Sequence, residues 1–245
     1  MRERIIALSV MYKGEWGKIA EGLQHHDRLP VIRMDMPCVT YGEPEYPPIF
    51  YQLRYPPWIL YYRGDLKLTE QLTTGIVGSR NACRYALGMT ERCCRVLNNE
   101  VIVSGLARGI DGAAHRSALR YSLGTVGVAG CGLDVCYPRE NANLYRQLAR
   151  SQLLLSEYPP GCAPLKHHFP WRNRLIAVLS QRILVMQAGY HSGTMCTVNE
   201  ALELGREIFC LPYPAMDPEG EGCNLLISQG AEILQDPQEL KRKKK

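Results

Sequence analysis

The sequence predicts an α/β fold: a mostly parallel sheet with helices on both faces. Three observations carry this. Short apolar runs such as Val101-Ile102-Val103 read as buried strands. Between them lie stretches with apolar residues at helical spacing, so strands and helices alternate. The runs close in small-residue turns, Gly78-Ser79-Arg80 and Ser104-Gly105 among them, as the crossovers of a sheet covered on both sides require.

In chain order, Ile5, Ile6, Leu8, Val10, Ile19 and Leu23 suit short helices in a first segment, 1–39. Pro37 to Pro57 is rich in proline and tyrosine and reads as an extended, packed lead-in, because aromatic rings bury large areas. Trp58 to Tyr62 predicts a strand before a turn at Arg63-Gly64-Asp65. Strands follow at 75–77, 101–103, 125–129, 153–155, 182–186 and 207–211, with a last one at 231–234. Helices are expected at 85–97, from Ile110, and at 141–150, 171–179 and 197–204, with a short one around Leu225-Leu226-Ile227. Asp111 falls in the first turn of its helix, where a negative charge suits the dipole. The segment 40–236 is expected to be the core domain, and 237–245, ending KRKKK, a frayed basic tail.

The 245 residues are 46% hydrophobic, enough for one sizeable core. No apolar run approaches the ~18 residues of a membrane span, and Met1 to Val10 has no signal-like core, so no membrane partner and a cytosolic setting are expected. The ten cysteines include no CxxC pair and sit in apolar segments, which predicts reduced buried thiols and no metal. No cofactor is expected either: there is no GxxxxGK[ST] and no GxGxxG after a strand. A net charge of +5 is compatible with a nucleic-acid partner without being diagnostic of one.

In an open parallel sheet, ligands sit beyond the carboxyl ends of the strands. The turns falling there are Gly78-Ser79-Arg80, Ser104-Gly105-Leu106-Ala107-Arg108-Gly109, Gly130-Cys131-Gly132 and Gly189 to Thr194, including Ser192-Gly193-Thr194. Glycine and small hydroxyl residues let backbone donors reach a phosphate, and arginine adds a bidentate partner. Together they predict an anion-binding rim. A second cluster, Lys166-His167-His168-Phe169-Pro170-Trp171-Arg172-Asn173-Arg174, interleaves cations with aromatic rings. That pattern suits single-stranded nucleic acid: the cations track phosphates and a ring stacks on bases. An enzymatic alternative uses Glu200 as general acid or base on a bound nucleotide, whereas His115 reads as a structural hydrogen-bond donor.

Taken together these stretches resemble the DprA/Smf family of DNA-processing proteins. The resemblance rests on GIVGSR at 75–80, SGLARGIDGAAH at 104–115, GCGLDVCYPRENANL at 130–144, LLSEYPPG at 154–161, FPWRNRLIAVLS at 169–180, SGTMCTVNEAL at 192–202 and GCNLLISQGAEIL at 222–234, all in family order. It implies an extended Rossmann-like domain that binds single-stranded DNA, forms a homodimer and helps load the RecA recombinase during natural transformation, without being an enzyme. Carried over by motif, the DNA pocket comprises Gly78, Ser79, Arg80, Ser104, Gly105, Ala107, Arg108, Gly109, Lys166, Phe169, Arg172, Asn173, Arg174, Ser192, Gly193 and Thr194, with Phe169 placed to stack on a base. The dimer contact is expected around Asn224, Ile227 and Ile233, where Leu225, Leu226 and Leu234 add apolar surface. The family's longer N-terminal helical domain is matched poorly by 1–39, and its C-terminal winged-helix-like domain is unmatched. Two alternatives use the same rim: a phosphoribohydrolase of the lysine-decarboxylase-like type, whose PGGxGTxxE turn is replaced here by HSGTMCTVNE, and a small-nucleotide sensor.

Overall fold

The computed structural model describes residues 1–25 and 28–242. Helices α1 (Arg2–Met11) and α2 (Trp16–Gln24) open the chain, followed by β1 (Cys38–Thr40) and β2 (Ile59–Gly64). A regular alternation then runs β3 (Thr73–Gly78), α3 (Arg84–Val96), β4 (Val101–Ser104), α4 (Ile110–Arg120), β5 (Gly124–Val128), α5 (Ala142–Ser151) and β6 (Leu153–Ser156). It continues with α6 (His168–Leu179), β7 (Arg182–Gln187), α7 (Gly193–Glu203), β8 (Glu207–Cys210), α8 (Glu221–Ser228), β9 (Glu232–Ile233) and α9 (Glu239–Arg242).

All nine strands join one sheet in the order β1-β2-β6-β5-β4-β3-β7-β8-β9. From β6 to β9 every pairing is parallel; only β1 and β2 run antiparallel. The fold is thus the α/β, mostly parallel sheet that the apolar runs predict. Successive strands β3, β4, β5 and β6 build outward in one direction, and β7, β8 and β9 in the other. The chain reverses between β3 and β7, and that reversal is the crevice where open α/β sheets bind ligands.

Side chains alternate across the sheet with period two. Leu153 and Leu155 enter the larger core cluster while Leu154 enters the smaller one. On β2, Leu60 points to the larger cluster, and Ile59 and Tyr61 to the smaller. The smaller cluster also takes Ile5 and Ile6 from α1 and Leu144 and Leu148 from α5. The first segment therefore packs directly on the sheet, with the Tyr61 hydroxyl 3.0 Å from Ser9 Oγ, and the boundary expected at residue 39 falls inside β1.

The lead-in is packed, as its aromatics predict: Tyr46 and Phe50 are buried, and the Tyr46 hydroxyl donates to Pro57 O at 2.8 Å. It is not wholly extended, since Pro48–Gln52 forms a 3-10 turn. The C-terminal expectation needs correcting. Leu240 is buried, and its carbonyl accepts from Arg182 Nη1 at 2.9 Å. Arg182 also meets Glu100 at 2.8 Å, inside the protein, so 237–242 is anchored rather than frayed. Residues 243–245 of the basic run lie outside the described residues.

Candidate nucleic-acid interface

Two adjoining cavities open at the carboxyl edge of the sheet. The larger, about 630 Å³, lies over the β3/β7 reversal. The smaller, about 360 Å³, lies over the ends of β4 and β5. Arg80, Ala107, Tyr137, Phe169 and Arg172 border both.

Backbone contacts shape the crevice first. Ser79 N donates to Gln187 O at 2.9 Å, tying the turn after β3 to the end of β7. Gly109 has φ +69°, and a Cβ there would lie 2.2 Å from Ser79 O. Only glycine fits this left-handed, crowded position, which is why the turn before α4 lies against the Ser79-Arg80 turn. The Ala107 loop is held from beneath: the Asn141 amide donates to Leu106 O at 3.1 Å and Ala107 O at 3.0 Å. His115, fully buried, bridges Gly105 O and Thr125 Oγ1, each at 2.7 Å. Burial pushes its pKa down to about 4, so at neutral pH the uncharged ring donates through Nε2 to the carbonyl and takes a structural role.

Helix α6 supplies one wall. Phe169, Arg172, Asn173 and Ile176 recur at i, i+3, i+4 and i+7, and all four line the larger cavity. Phe169 is half-buried, with the Arg80 guanidinium 5.6 Å from its ring centroid. Lys166, exposed, precedes the helix on the same side. Opposite, Ser192, Gly193 and Thr194 bring the first turn of α7 to the cavity, where its leading N–H groups have no intrahelical partner. Asn173 Nδ2 donates to Gly193 O at 3.2 Å and joins the two walls.

The electrostatics are cationic with two acidic counterweights. Arg80 and Arg108 are exposed, whereas Arg172 is 6% exposed and its pKa is lowered by burial. Asp111 is also buried; burial raises its pKa, and the Ala107 N–H donates to its carboxylate at 3.2 Å. Arg108 lies 3.7 Å from Glu140, both well exposed, so this pair is weak.

Most residues picked from the sequence come together here: Gly78, Ser79, Arg80, Ala107, Lys166, Phe169, Arg172, Asn173, Ser192, Gly193 and Thr194 line the larger cavity, and Arg108 the smaller. Ser104, Gly105, Gly109 and Arg174 line neither. Ser104 is fully buried, its hydroxyl donating to Ile76 O at 2.6 Å. Gly105 and Gly109 shape the loop. Arg174 is 3% exposed, paired with Glu157 and stacked 4.2 Å from the Trp171 ring centroid on the other side of α6. It faces the interior, which corrects its expected place in the pocket. Sequence reading missed Asn81, Tyr137, Arg139 and Glu140. The last three stand in the GCGLDVCYPREN block, and their signal was an aromatic and a cation directly after a turn at the same sheet edge.

For the expected dimer contact, Ile233 is 40% exposed on edge strand β9, Ile227 is half-buried against the core, and the Asn224 amide is used on Tyr213, with Nδ2 3.0 Å from its carbonyl. Glu200, the alternative acid–base residue, is half-buried and lines neither cavity. Among the described residues no cluster of histidine, cysteine, aspartate and glutamate is arranged to hold a metal, and no helix is long and apolar enough to cross a membrane. The ten cysteines are free, and only Cys196 is exposed.

Comparison with known proteins falls on the same segments. The DNA processing protein DprA of Streptococcus pneumoniae is 42% identical over 185 residues, 75% of this chain and 66% of that protein. Protein Smf of Synechocystis is 41% identical over 202 residues, 80% of this chain and 51% of that protein. The chain thus spans between half and two thirds of the length of these relatives. The solved structure of the Streptococcus pneumoniae DprA superposes with a TM-score of 0.85 at 33% identity, covering 99% of this chain and 93% of that one. The DNA processing protein A of Helicobacter pylori, whose structure describes a single-stranded DNA binding mode, superposes with a TM-score of 0.76 at 33% identity over 85% of this chain and 96% of that one. The family described as DNA recombination-mediator protein A matches residues 37–244, and with the sheet, the crevice and the motifs in register, this chain belongs to that DprA/Smf family.

Proposed function

We propose that the crevice binds single-stranded DNA and that the protein acts as a recombination mediator rather than as an enzyme. One observation carries the reading: Arg80, Lys166 and Arg172 converge with the half-buried ring of Phe169 at the sheet's reversal point. Phosphates lie against the cations and the opening turn of α7, while the ring offers a base a sequence-tolerant stacking face. Few groups are placed to read base edges, so recognition follows backbone and shape. Membership of the family supports the further steps of the reading: protection of incoming DNA in the cytoplasm and its delivery to RecA during natural transformation. A homodimer through α8 and β9 is part of it, supported by exposed Ile233 on a two-residue edge strand.

Anisotropy titrations with a single-stranded oligonucleotide and its duplex, over a range of salt, test the function. Single-strand preference is expected, with a steep loss of affinity as salt rises, each phosphate contact contributing ~0.7 to the log–log slope. A flat salt dependence or a duplex preference refutes it. Release of free base from nucleoside monophosphates in a parallel glycosidase assay would favour the phosphoribohydrolase instead.

A further inference from the structure

The smaller cavity has features that phosphate binding alone does not use. Its floor is apolar, formed by Leu106, Val128 and Ala129. Tyr137 and Phe169 stand where it joins the larger cavity, ring centroids 5.6 Å apart and tilted by 37°. Tyr137 is 42% exposed, so an apolar ring face waits at the entrance. At about 360 Å³ the space is at the low end of small-ligand sites, which run from roughly 300 to 1,000 Å³, and suits one nucleotide unit rather than a length of strand. A track for phosphates, which stay hydrated, gains nothing from a pit of this kind.

Arg172 is the second, independent observation. Its side chain borders this cavity while 6% exposed. Nη1 donates to Val128 O, yet Nε has no hydrogen-bond partner among the described residues. Asp111 attracts it, but no ion pair with a carboxylate forms. Leaving a donor of a buried guanidinium unpaired is costly. A carbonyl oxygen entering the cavity would relieve that cost. Such acceptors lie on the edges of the nucleobases, on a flat ring whose faces suit an apolar floor. Arg139, exposed at the rim, lies where the attached phosphate would emerge.

We propose that the smaller cavity is a base-insertion subsite. One unstacked base of the bound strand turns inward past Tyr137, rests on the Ala129 floor and offers a carbonyl to Arg172, with its phosphate at Arg139. The proposal rests on single-stranded nucleic acid being the ligand of the groove. It assigns Tyr137, Ala129 and Arg139 a part in binding that the groove itself does not require.

The test compares affinity for a short oligothymidine with that for the same phosphodiester lacking its bases. The ratio isolates the contribution of bases from that of phosphates. Ala129→Leu fills the floor without touching a cation, and Tyr137→Ala removes an exposed ring, so the second variant folds even if the first does not. Both should shrink the ratio by roughly 5- to 100-fold, the range that one stacked base contributes. Lys166→Ala should weaken both ligands alike and leave the ratio unchanged. A parental ratio retained in Tyr137→Ala and in folded Ala129→Leu overturns the subsite, and if Lys166→Ala still weakens binding the groove stands without it. If the parent protein binds neither ligand, the reading of the groove fails and the subsite with it.

Discussion

Arg174 and Glu157 meet inside the protein through two parallel hydrogen bonds of 2.6 Å each, with side chains 4% and 5% exposed. Removing one partner of a buried ion pair strands the other charge, at a cost of about 3–5 kcal/mol. Arg174→Ala should therefore lower the melting temperature sharply. Lys166→Ala, at an exposed turn, should leave the melt unchanged and weaken oligonucleotide binding. Calorimetry and anisotropy on both variants check this; an Arg174→Ala protein of parental stability that loses binding would return Arg174 to the groove.

Phe169 is half-buried, with Arg80 near its ring and Tyr137 beside it. Phe169→Ala should cost about 1–3 kcal/mol of binding, and Phe169→Trp much less, because stacking tolerates any ring. The ring also covers Gly130, where a Cβ would lie 3.0 Å from it, so a modest drop in melting temperature should accompany the alanine variant. A large drop with unchanged affinity per folded molecule would make Phe169 a packing residue only.

Gly109→Ala should be harmful at long range. It demands a left-handed φ and drives a methyl into the Ser79 carbonyl. Strain of about 1–3 kcal/mol is expected. The Ser79-Arg80 turn should shift with it, so affinity falls even though Gly109 lines neither cavity. Parallel melts and titrations should show both losses together.

His115 makes stability depend on pH. The pKa of its ring is depressed from 6.5 to about 4 by burial. Below pH 6.5 the unfolded chain binds a proton that the folded chain refuses. The ring's contribution is therefore whole above pH 6.5 and declines as pH falls toward 4, by up to roughly 3 kcal/mol. Urea melts near neutrality and near pH 4 should show this decline in the parent and less of it in His115→Gln.

Ile233→Glu should yield a folded monomer if β9 forms the expected self-contact, since the residue is exposed on an edge strand and its loss disturbs little packing. Ile227 serves less well as a probe because it packs on the core. A two-fold contact repeats the charge on both sides of the seam. Light scattering should fall from dimer to monomer mass; a parental monomer at micromolar concentration refutes the contact.

The strands were legible because each is a short apolar run closed by glycine, and parallel strands covered on both faces leave few other patterns. The lead-in was harder: β1 is three residues long and its antiparallel pairing to β2 leaves no local signature. Within the site, the turns were found by composition, but α6 was read as one cationic block. Helical spacing divides it: Phe169, Arg172 and Asn173 face the crevice, and Trp171 with Arg174 faces away. Which side faces the crevice depends on Glu157, the acidic partner of Arg174, in the loop just after β6, and no periodicity within α6 reveals a partner so far off in sequence. Ser104 misled for a related reason, since a serine ending a strand can satisfy a neighbouring strand's carbonyl as readily as a ligand.

The pairing of β3 with β7 carries a consequence for how the molecule comes into being. Val77 pairs with Val185, and β4, β5 and β6 all lie between them in sequence. Closing so long a loop is entropically slow. A chain leaving the ribosome can assemble β3 to β6 with their helices while one flank of β3 stands bare, and no crevice exists until α6 and β7 arrive. The nascent protein is therefore without its nucleic-acid groove until late in synthesis, and it carries in the interval an open strand edge that invites β-strands of other chains.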